Sequence, residues 1–256
     1  MRVLVLGAGV IGTTAAYFLT RDGHDVTVIE RQAGAGLETS FANGGIVSAY
    51  TAKPWASPTV PKTLLKNLFR EDAPYLFRLR PDLQQWAWAL KFLSNCRAEP
   101  FARGQKVSRR LGAYSFAQLK AVREAEGIEY DARAEGMIEL YQDAESLAAA
   151  DAFARRLPDD GRHPQVLDMK STIEVEPALE DQRDTYAGSL FFSQEETGDA
   201  HKFTKNLAAA TVGHGADFRY GETLTRLIRD GRRITGVETD KATYEAEAVV
   251  VSLGSF

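Results

Sequence analysis

Three glycines near the start of the chain have the spacing used by dinucleotide-binding turns. Gly7, Gly9 and Gly12 follow an apolar run at residues 3–6 and precede a helical stretch. In such a turn the first glycine permits a sharp bend, the second lets the backbone approach a pyrophosphate, and the third lets the helix pack closely on the strand. Free N–H groups at the helix N-terminus then face the phosphates. The spacing predicts a dinucleotide site, and a glycine turn that merely packs is the alternative interpretation.

An acidic residue completes the motif at the end of the next predicted strand. Residues 25–29 form a second apolar run, which ends on Glu30. A carboxylate at this place accepts hydrogen bonds from a ribose 2′-hydroxyl. It also repels a 2′-phosphate, so NADP is disfavoured. FAD and NAD both carry the free hydroxyl, and the motif does not separate them. Arg31 follows directly and is either a nucleotide contact or a solvated surface arginine.

Composition excludes several other classes of function. The 256 residues carry a formal net charge of −4, which gives no electrostatic reason to expect nucleic acid as a partner. The single cysteine, Cys96, excludes an intrachain disulfide and fits a reducing compartment. It has no neighbours at metal-ligand spacing, so we predict no metal site. We find neither a signal peptide nor the roughly 20 apolar residues that span a bilayer, and we expect a cytoplasmic protein.

Helical and strand patterns alternate along the remainder of the chain. Asp199 is placed to cap the helix that follows it, and Asp230-Gly231 predicts a hairpin turn. The apolar run at 248–253 is typical of a strand buried on both faces. Helices are predicted at 13–22, 62–95 (in two pieces), 106–126, 144–157, 170–179 and 199–214, and strands at 136–141, 188–192, 217–220, 223–228 and 234–239.

The opening unit and three further segments together resemble a known family. The segments are residues 37–45 (LETSFANGG), 52–58 (AKPWASP) and 195–199 (EETGD). They resemble the D-amino acid dehydrogenase small-subunit family, within the FAD-dependent D-amino acid oxidase-like superfamily. The resemblance implies an α/β fold: a Rossmann-type FAD-binding domain with a parallel central sheet, at residues 1–50 and 199–256, and an incomplete α+β substrate or cap domain at 51–198. Family members continue well past the position of Phe256.

The resemblance also implies FAD as the cofactor and gives it contacts along the chain. From the residues alone, Asn43-Gly44-Gly45 is either a turn whose amides approach a ligand or a bare surface loop. The family assigns the pyrophosphate to Gly7, Gly9, Val10, Ile11 and Gly12, the adenosine ribose to Glu30 with Arg31 beside it, the region of the pyrophosphate and ribityl chain to Thr39 and Ser40, the isoalloxazine to Asn43, Gly44 and Gly45, a backbone contact with adenine to Leu224, and a return to the diphosphate to Ser252, Leu253 and Gly254.

The reaction implied by the resemblance is oxidative deamination of a D-amino acid. A hydride passes from Cα to flavin N5, water hydrolyses the imino acid to a 2-oxo acid and ammonia, and the electrons go to a quinone or other respiratory acceptor at the cytoplasmic side of the inner membrane. The carboxylate-binding arginine and aromatic residues of such enzymes lie largely beyond the matched region, so catalytic residues stay unassigned. Neither Arg219 nor Arg226 can replace that arginine, because both fall in the predicted strands at 217–220 and 223–228 of the nucleotide domain. A missing C-terminal segment or a partner chain would complete the site.

Several side chains carry two interpretations. His201 either lines a cavity or is an exposed helix residue, and the second is favoured; Glu195-Glu196 is read as a solvated pair rather than a general base. Apolar residues within 64–93 form either a membrane- or quinone-facing surface or the core of the substrate domain, and the core is favoured. The residues concerned are Leu68, Phe69, Tyr75, Phe77, Trp86 and Trp88.

Three rival functions remain open at this point. A glycine- or sarcosine-type amino acid oxidase shares the fold. An NAD-dependent dehydrogenase is disfavoured by the Asn43-Gly44-Gly45 segment. The chain could also be a non-catalytic FAD-binding half that works only with a partner.

Overall fold

A computed structural model describes residues 1–49, 53–66, 80–155, 157 and 163–255. The strands are β1 (Arg2–Leu6), β2 (Asp25–Glu30), β3 (Ile46–Val47), β4 (Met137–Tyr141), β5 (Gln165–Asp168), β6 (Gly188–Phe192), β7 (Glu196–Thr197), β8 (Asp217–Tyr220), β9 (Leu224–Asp230), β10 (Arg233–Thr239), β11 (Thr243–Glu245) and β12 (Ala248–Val251). The helices are α1 (Val10–Arg21), α2 (Val60–Lys66), α3 (Leu83–Asn95), α4 (Ala98–Glu126), α5 (Ala144–Ala154), α6 (Met169–Val175) and α7 (Ala200–Gly213), with a 3₁₀ helix at Pro177–Gln182.

The chain divides into two compact units. One comprises Met1–Val47 and Ala121–Phe256, and the other comprises Ser48–Lys120. This division reflects packing, whereas the domain boundaries given by the resemblance are functional. The assignment of residues 1–50 and 199–256 to cofactor binding, and of 51–198 to the substrate, therefore stays a prediction.

A parallel sheet of order β12-β1-β2-β8 forms the centre of the first unit. Successive side chains of a strand point to opposite faces, so β1 contributes to two cores. Val3 and Val5 pack with Ala16 of α1 and Ala208 of α7 on one face. Leu4 packs with Val237 and other residues on the other face. The predicted Rossmann-type parallel sheet is confirmed.

One expectation about this sheet is wrong. The run at 248–253 was predicted to be buried on both faces, but β12 is only half-buried and Val251 is 60% exposed. The physical reason is its position, because β12 lies at the edge and pairs only with β1 among the described strands. A long apolar run therefore does not distinguish an edge strand from a central one.

Antiparallel sheets account for the other strands. β9 and β10 pair around the predicted Asp230-Gly231 turn, and β11 extends them into a three-stranded sheet. β6 lies between β4 and β5, while β3 pairs with β7. The carboxylate of Asp199 accepts a hydrogen bond from the Lys202 N–H at 2.9 Å, which confirms the predicted cap of α7.

The second unit contains α2, α3 and most of α4. Asp82 caps α3 by accepting hydrogen bonds from first-turn N–H groups. No residue of α3 is buried, and Trp86 and Trp88 are 43% and 59% exposed. The core interpretation is therefore wrong for these two tryptophans. Leu68, Phe69, Tyr75 and Phe77 lie outside the described residues.

Candidate functional site

The fold requires glycine at two positions of the glycine turn, Gly7 and Gly12, but not at the third, Gly9. Gly7 has φ +96°, and a Cβ there would lie 2.5 Å from the Ser252 carbonyl oxygen. A Cβ on Gly12 would lie 1.8 Å from the Gly7 carbonyl oxygen, so this residue packs the helix on the strand. Gly9 is extended, with φ −68° and ψ 177°, and its Cβ would meet only Ser40 Oγ, at 3.5 Å. Space left open above Gly9 suits a bound group that needs close backbone approach.

The carboxylate of Glu30 is fixed beside this turn. Glu30 is buried, and its Oε2 accepts a hydrogen bond from the Ala8 N–H at 2.7 Å. Its Oε1 accepts one from the Gln32 N–H at 2.8 Å. Each carboxylate oxygen can accept a further hydrogen bond. The acid at the end of β2 therefore faces the turn, as the motif requires.

Arg31 is held by an acid that the sequence analysis did not single out. Its Nε donates to Glu38 Oε1 at 2.6 Å, and Gln32 Nε2 donates to the same oxygen at 3.0 Å. The hydrogen bond from Gln32, and after it that from Arg31, lowers the pKa of Glu38 below its usual range. Glu38 and Arg31 form an ion pair on this part of the molecule, so Glu38 adds no net negative charge there.

Ser40 brings the segment after β2 onto the first turn of α1. Its Oγ accepts a hydrogen bond from the Val10 N–H at 3.0 Å. Gly36 N–H donates to the Ala8 carbonyl at 2.9 Å, which holds the preceding residues against the same turn. The helix N-terminus and the predicted ribityl region consequently form one continuous wall.

These groups line a cavity of about 600 Å³ in the first unit. Its size lies within the about 300–1,000 Å³ typical of small-molecule sites. Predicted residues on its wall are Gly7, Gly9, Val10, Ile11, Glu30, Arg31, Thr39, Ser40, Leu224, Ser252, Leu253 and Gly254. Wall residues that were not predicted are Leu6, Ile29, Leu37, Glu38, Glu222, Thr223 and Ser255. Most of the latter adjoin predicted ones, and their exposure to the cavity depends on strand ends that meet only after folding.

Asn43, Gly44 and Gly45 line a different, shallower depression of about 370 Å³. Asn43 Oδ1 accepts a hydrogen bond from the Gly45 N–H at 2.8 Å, and a Cβ on Gly45 would lie 2.3 Å from the Gly198 carbonyl oxygen. The remaining wall of the depression consists of Phe41, Asp131, Arg133, Thr197, Gly198, Asp199 and Ala200. Gly12 lines neither this depression nor the larger cavity.

Acidic residues beside the depression differ from the sequence interpretation. Glu195 and Glu196 are 2% and 1% exposed, so the solvated pair is a wrong expectation. Glu196 Oε2 accepts a hydrogen bond from Arg123 Nη1 at 2.9 Å. The two residues adjoin in sequence, and nothing local signals that a distant arginine buries one of them.

Three other side chains are placed by the structure. His201 is half-buried, with its Nδ1 3.1 Å from the Gly36 carbonyl oxygen, and it lines neither cavity. The favoured interpretation of an exposed helix residue is therefore wrong. Arg219 of β8 forms an ion pair with Asp217, and Arg226 of β9 forms one with Glu238 of β10. They are not available as a substitute for a substrate-binding arginine.

Comparisons with known proteins agree on one family. A family model described as "FAD dependent oxidoreductase" (DAO) matches residues 2–256. A D-amino acid dehydrogenase of Rhizobium rhizogenes strain K84 is 45% identical over 256 residues, which cover 100% of this chain and 62% of that protein. A D-amino acid dehydrogenase of Dechloromonas aromatica is 44% identical over 261 residues and is covered to 62%. The chain thus spans about three fifths of the length of these relatives.

A solved structure shares the fold. Glycine oxidase from Bacillus cereus superposes with a TM-score of 0.66 at 21% identity, over 100% of this chain and 55% of that one. At this identity the likeness concerns the fold alone.

Proposed function

The chain belongs to the DAO family of FAD-dependent oxidoreductases, and on that premise we propose that it binds FAD in the cavity beside the glycine turn and oxidises D-amino acids. The single observation that carries the binding proposal is the open space above Gly9. Neither backbone conformation nor any neighbouring protein atom requires glycine at this position. A diphosphate lying on the turn supplies the requirement, because a Cβ would hold it away from the amides.

The cavity wall offers a fitting group for each part of an adenine dinucleotide. Glu30 would accept hydrogen bonds from the ribose hydroxyls while it keeps those from Ala8 and Gln32. Apolar wall residues Leu6, Ile29 and Leu224 would contact the adenine. The N-terminal turn of α1, with Gly9 before it, would face the phosphates. Asn43, Gly44 and Gly45 would lie beside the flavin ring.

Bound FAD would supply the acceptor for the hydride of the substrate Cα. The chain's part is to orient this cofactor and to shield the reacting face from water. D-amino acids are the proposed substrates because the relatives at 44–45% identity bear the name D-amino acid dehydrogenase. Hydrolysis of the resulting imino acid gives a 2-oxo acid and ammonia.

A competition experiment tests the cofactor site. We expect FAD to bind the purified protein and ADP to displace it, since both place a free 2′-hydroxyl at Glu30. Adenosine 2′,5′-bisphosphate should compete at least about tenfold more weakly than AMP, because its 2′-phosphate meets the Glu30 carboxylate. Equal competition by these two nucleotides would contradict the assigned ribose position.

A second experiment tests the reaction. The FAD-loaded protein is mixed anaerobically with a panel of D-amino acids and their L-enantiomers, and flavin absorbance is followed. We expect bleaching by D-amino acids only. Bleaching by glycine or sarcosine, together with oxygen consumption in air, would instead identify an amino acid oxidase.

The chain's coverage of its relatives favours a second candidate function. Since it spans 62% of their length, FAD binding without turnover is the alternative outcome. Flavin that binds but stays oxidised with every amino acid would identify a binding unit that needs a partner segment. Activity gained when the C-terminal part of a relative is added would identify the missing contribution.

We further propose that electrons pass to a respiratory acceptor and that the chain contacts the membrane surface peripherally. Among the described helices, none is long and apolar enough to cross a bilayer. The exposed tryptophans Trp86 and Trp88 of α3 support contact at the interface, where such side chains partition favourably.

A further inference from the structure

A buried carboxylate lies behind the wall of the depression. Glu196 accepts a hydrogen bond from Arg123 Nη1, and the same nitrogen donates to Tyr130 Oη at 3.2 Å. The guanidinium carbon lies 6.0 Å from the centre of the Tyr130 ring. Burial lowers the pKa of Arg123, but the hydrogen bonds to Tyr130 and Glu196 outweigh it and the net pKa is raised. Arg123 is therefore charged wherever the protein is folded.

Tyr130 connects Arg123 to two residues that line the depression, Gly198 and Asp199. It is 2% exposed, and a Cβ on Gly198 would lie 2.2 Å from its Cε2 atom. Its carbonyl oxygen accepts a hydrogen bond from the Asp199 N–H at 2.7 Å. The ring and the backbone of Tyr130 thus fix two consecutive residues of the depression.

Gly198 in turn holds the segment that carries Asn43. Its N–H donates to the Gly45 carbonyl at 2.9 Å, and a Cβ on Gly45 has no room against the Gly198 carbonyl. Beyond it, β7 pairs with β3, so that Glu196 lies opposite Val47. A continuous series of contacts therefore runs from the Glu196 carboxylate to the Asn43-Gly44-Gly45 turn.

We propose that Glu196, through Arg123 and Tyr130, is a positioning residue that fixes the Gly45–Gly198 wall and so sets the place of the flavin ring. The fixing of the wall follows from protein contacts alone, whereas the placing of the flavin ring rests on the proposed function. Two measurements keep these parts separate.

The chain contains a matched control of the same chemistry. Tyr17 Oη donates to Glu126 Oε1 at 2.6 Å, and Arg21 Nη1 lies 3.1 Å from the same oxygen. This is again a glutamate with an arginine and a tyrosine. None of the three lines the cavity or the depression.

Amide hydrogen exchange without cofactor tests the wall. Tyr130→Phe removes one hydroxyl, and Glu196→Gln removes the charge. Loss of such a hydrogen bond should speed exchange in residues 43–47 about tenfold. The control changes Tyr17→Phe and Glu126→Gln should leave that segment within about twofold. If residues 43–47 exchanged at the same rate in the test variants and in the control variants, the proposal would be overturned. Tyr130→Phe decides the question even where Glu196→Gln fails to fold.

Flavin signals test the consequence for the cofactor. In the FAD-loaded protein, Glu196→Gln should change the visible circular dichroism of the flavin and slow anaerobic reduction about tenfold or more, with FAD affinity changed less than about threefold. Glu126→Gln should change neither signal. Unchanged flavin signals in Glu196→Gln would overturn the flavin part. A wild-type protein that binds no FAD would instead refute the proposed function, and the exchange experiment would still decide the wall.

Discussion

The glycines of the first turn have different roles, in ligand binding or in packing, and alanine substitutions distinguish these roles. Gly9→Ala adds a methyl group where no protein atom stands closer than 3.5 Å. We expect FAD affinity to fall about 10- to 100-fold, about 1.4–2.8 kcal/mol, because the diphosphate is pushed from the amides. Unfolding free energy should change by less than about 0.5 kcal/mol. Fluorescence titration with FAD and urea denaturation measure the two quantities.

Gly12→Ala is the control for this prediction. Its methyl group would lie 1.8 Å from the Gly7 carbonyl oxygen. The helix must move away from the strand, and such overpacking costs about 3 kcal/mol or more. If Gly9→Ala were as destabilising as Gly12→Ala, Gly9 would serve packing and not a ligand.

Glu30 combines a structural and a binding part in one side chain. Glu30→Gln leaves one amide oxygen for two backbone donors, Ala8 N–H and Gln32 N–H. The unpaired buried donor should cost about 1–3 kcal/mol of unfolding free energy. Loss of a charged acceptor for the ribose should weaken FAD about tenfold. An FAD affinity of Glu30→Gln that stays at the wild-type value would contradict the role of Glu30 in binding the ribose.

Packing of helices at the end of α4 predicts a pH dependence. Glu126 accepts hydrogen bonds from Tyr17 of α1 and from His214, the C-cap residue that follows α7. The hydrogen bond from Tyr17 lowers the pKa of Glu126 in the folded protein, and interactions with His214 and Arg21 lower it by smaller amounts. A carboxyl with a lowered folded pKa stabilises the protein above its unfolded value, about 4.3, and loses that contribution as pH falls through the folded pKa.

Unfolding free energy should therefore decrease as pH falls below about 4.3, and Glu126→Gln should flatten this decrease. Thermal or urea unfolding between pH 3 and pH 7 measures both profiles, and Tyr17→Phe should give an intermediate slope. Parallel profiles for wild type and Glu126→Gln would mean that other carboxyls carry the acid dependence.

The N-cap of α7 makes a small contribution to the unfolding free energy. Asp199→Ala removes the acceptor of the Lys202 N–H. The expected loss of unfolding free energy is about 1 kcal/mol, the usual contribution of an N-cap. Asp199→Ser should recover most of it, because serine also accepts from the first turn. A loss that serine does not recover would point to a role of the carboxylate in the depression.

For the whole molecule, the exposed face of α3 predicts peripheral binding to a membrane surface. Trp86→Ser with Trp88→Ser should lower partition onto anionic vesicles about tenfold or more, because interfacial binding scales with buried apolar area. Trp55 is 79% exposed outside α3 and supplies the control. Trp55→Ser should change partition less than about twofold. Equal loss in the two proteins would remove α3 as the contact face.

Local features of the fold followed from the sequence because their causes lie within a few residues. The β1–α1–β2 unit, the Asp199 cap and the Asp230-Gly231 hairpin turn each depend on neighbours along the chain. The resemblance, rather than any pattern of residues, was needed to bring Leu224 and Ser252 to the cavity. Such residues join the glycine turn only through pairing of distant strands.

Burial of individual side chains followed from contacts that no local pattern contains. Glu196 is buried where Arg123, which is distant in the chain, donates to its carboxylate and also to Tyr130. Trp86 and Trp88 are exposed although their helix has the apolar pattern of a core element. Periodicity states which side chains share a face, whereas the partner of that face is selected when all elements pack together. The glycine and acid motif thus predicted a dinucleotide site from sequence, and long-range packing alone fixed the walls that surround it.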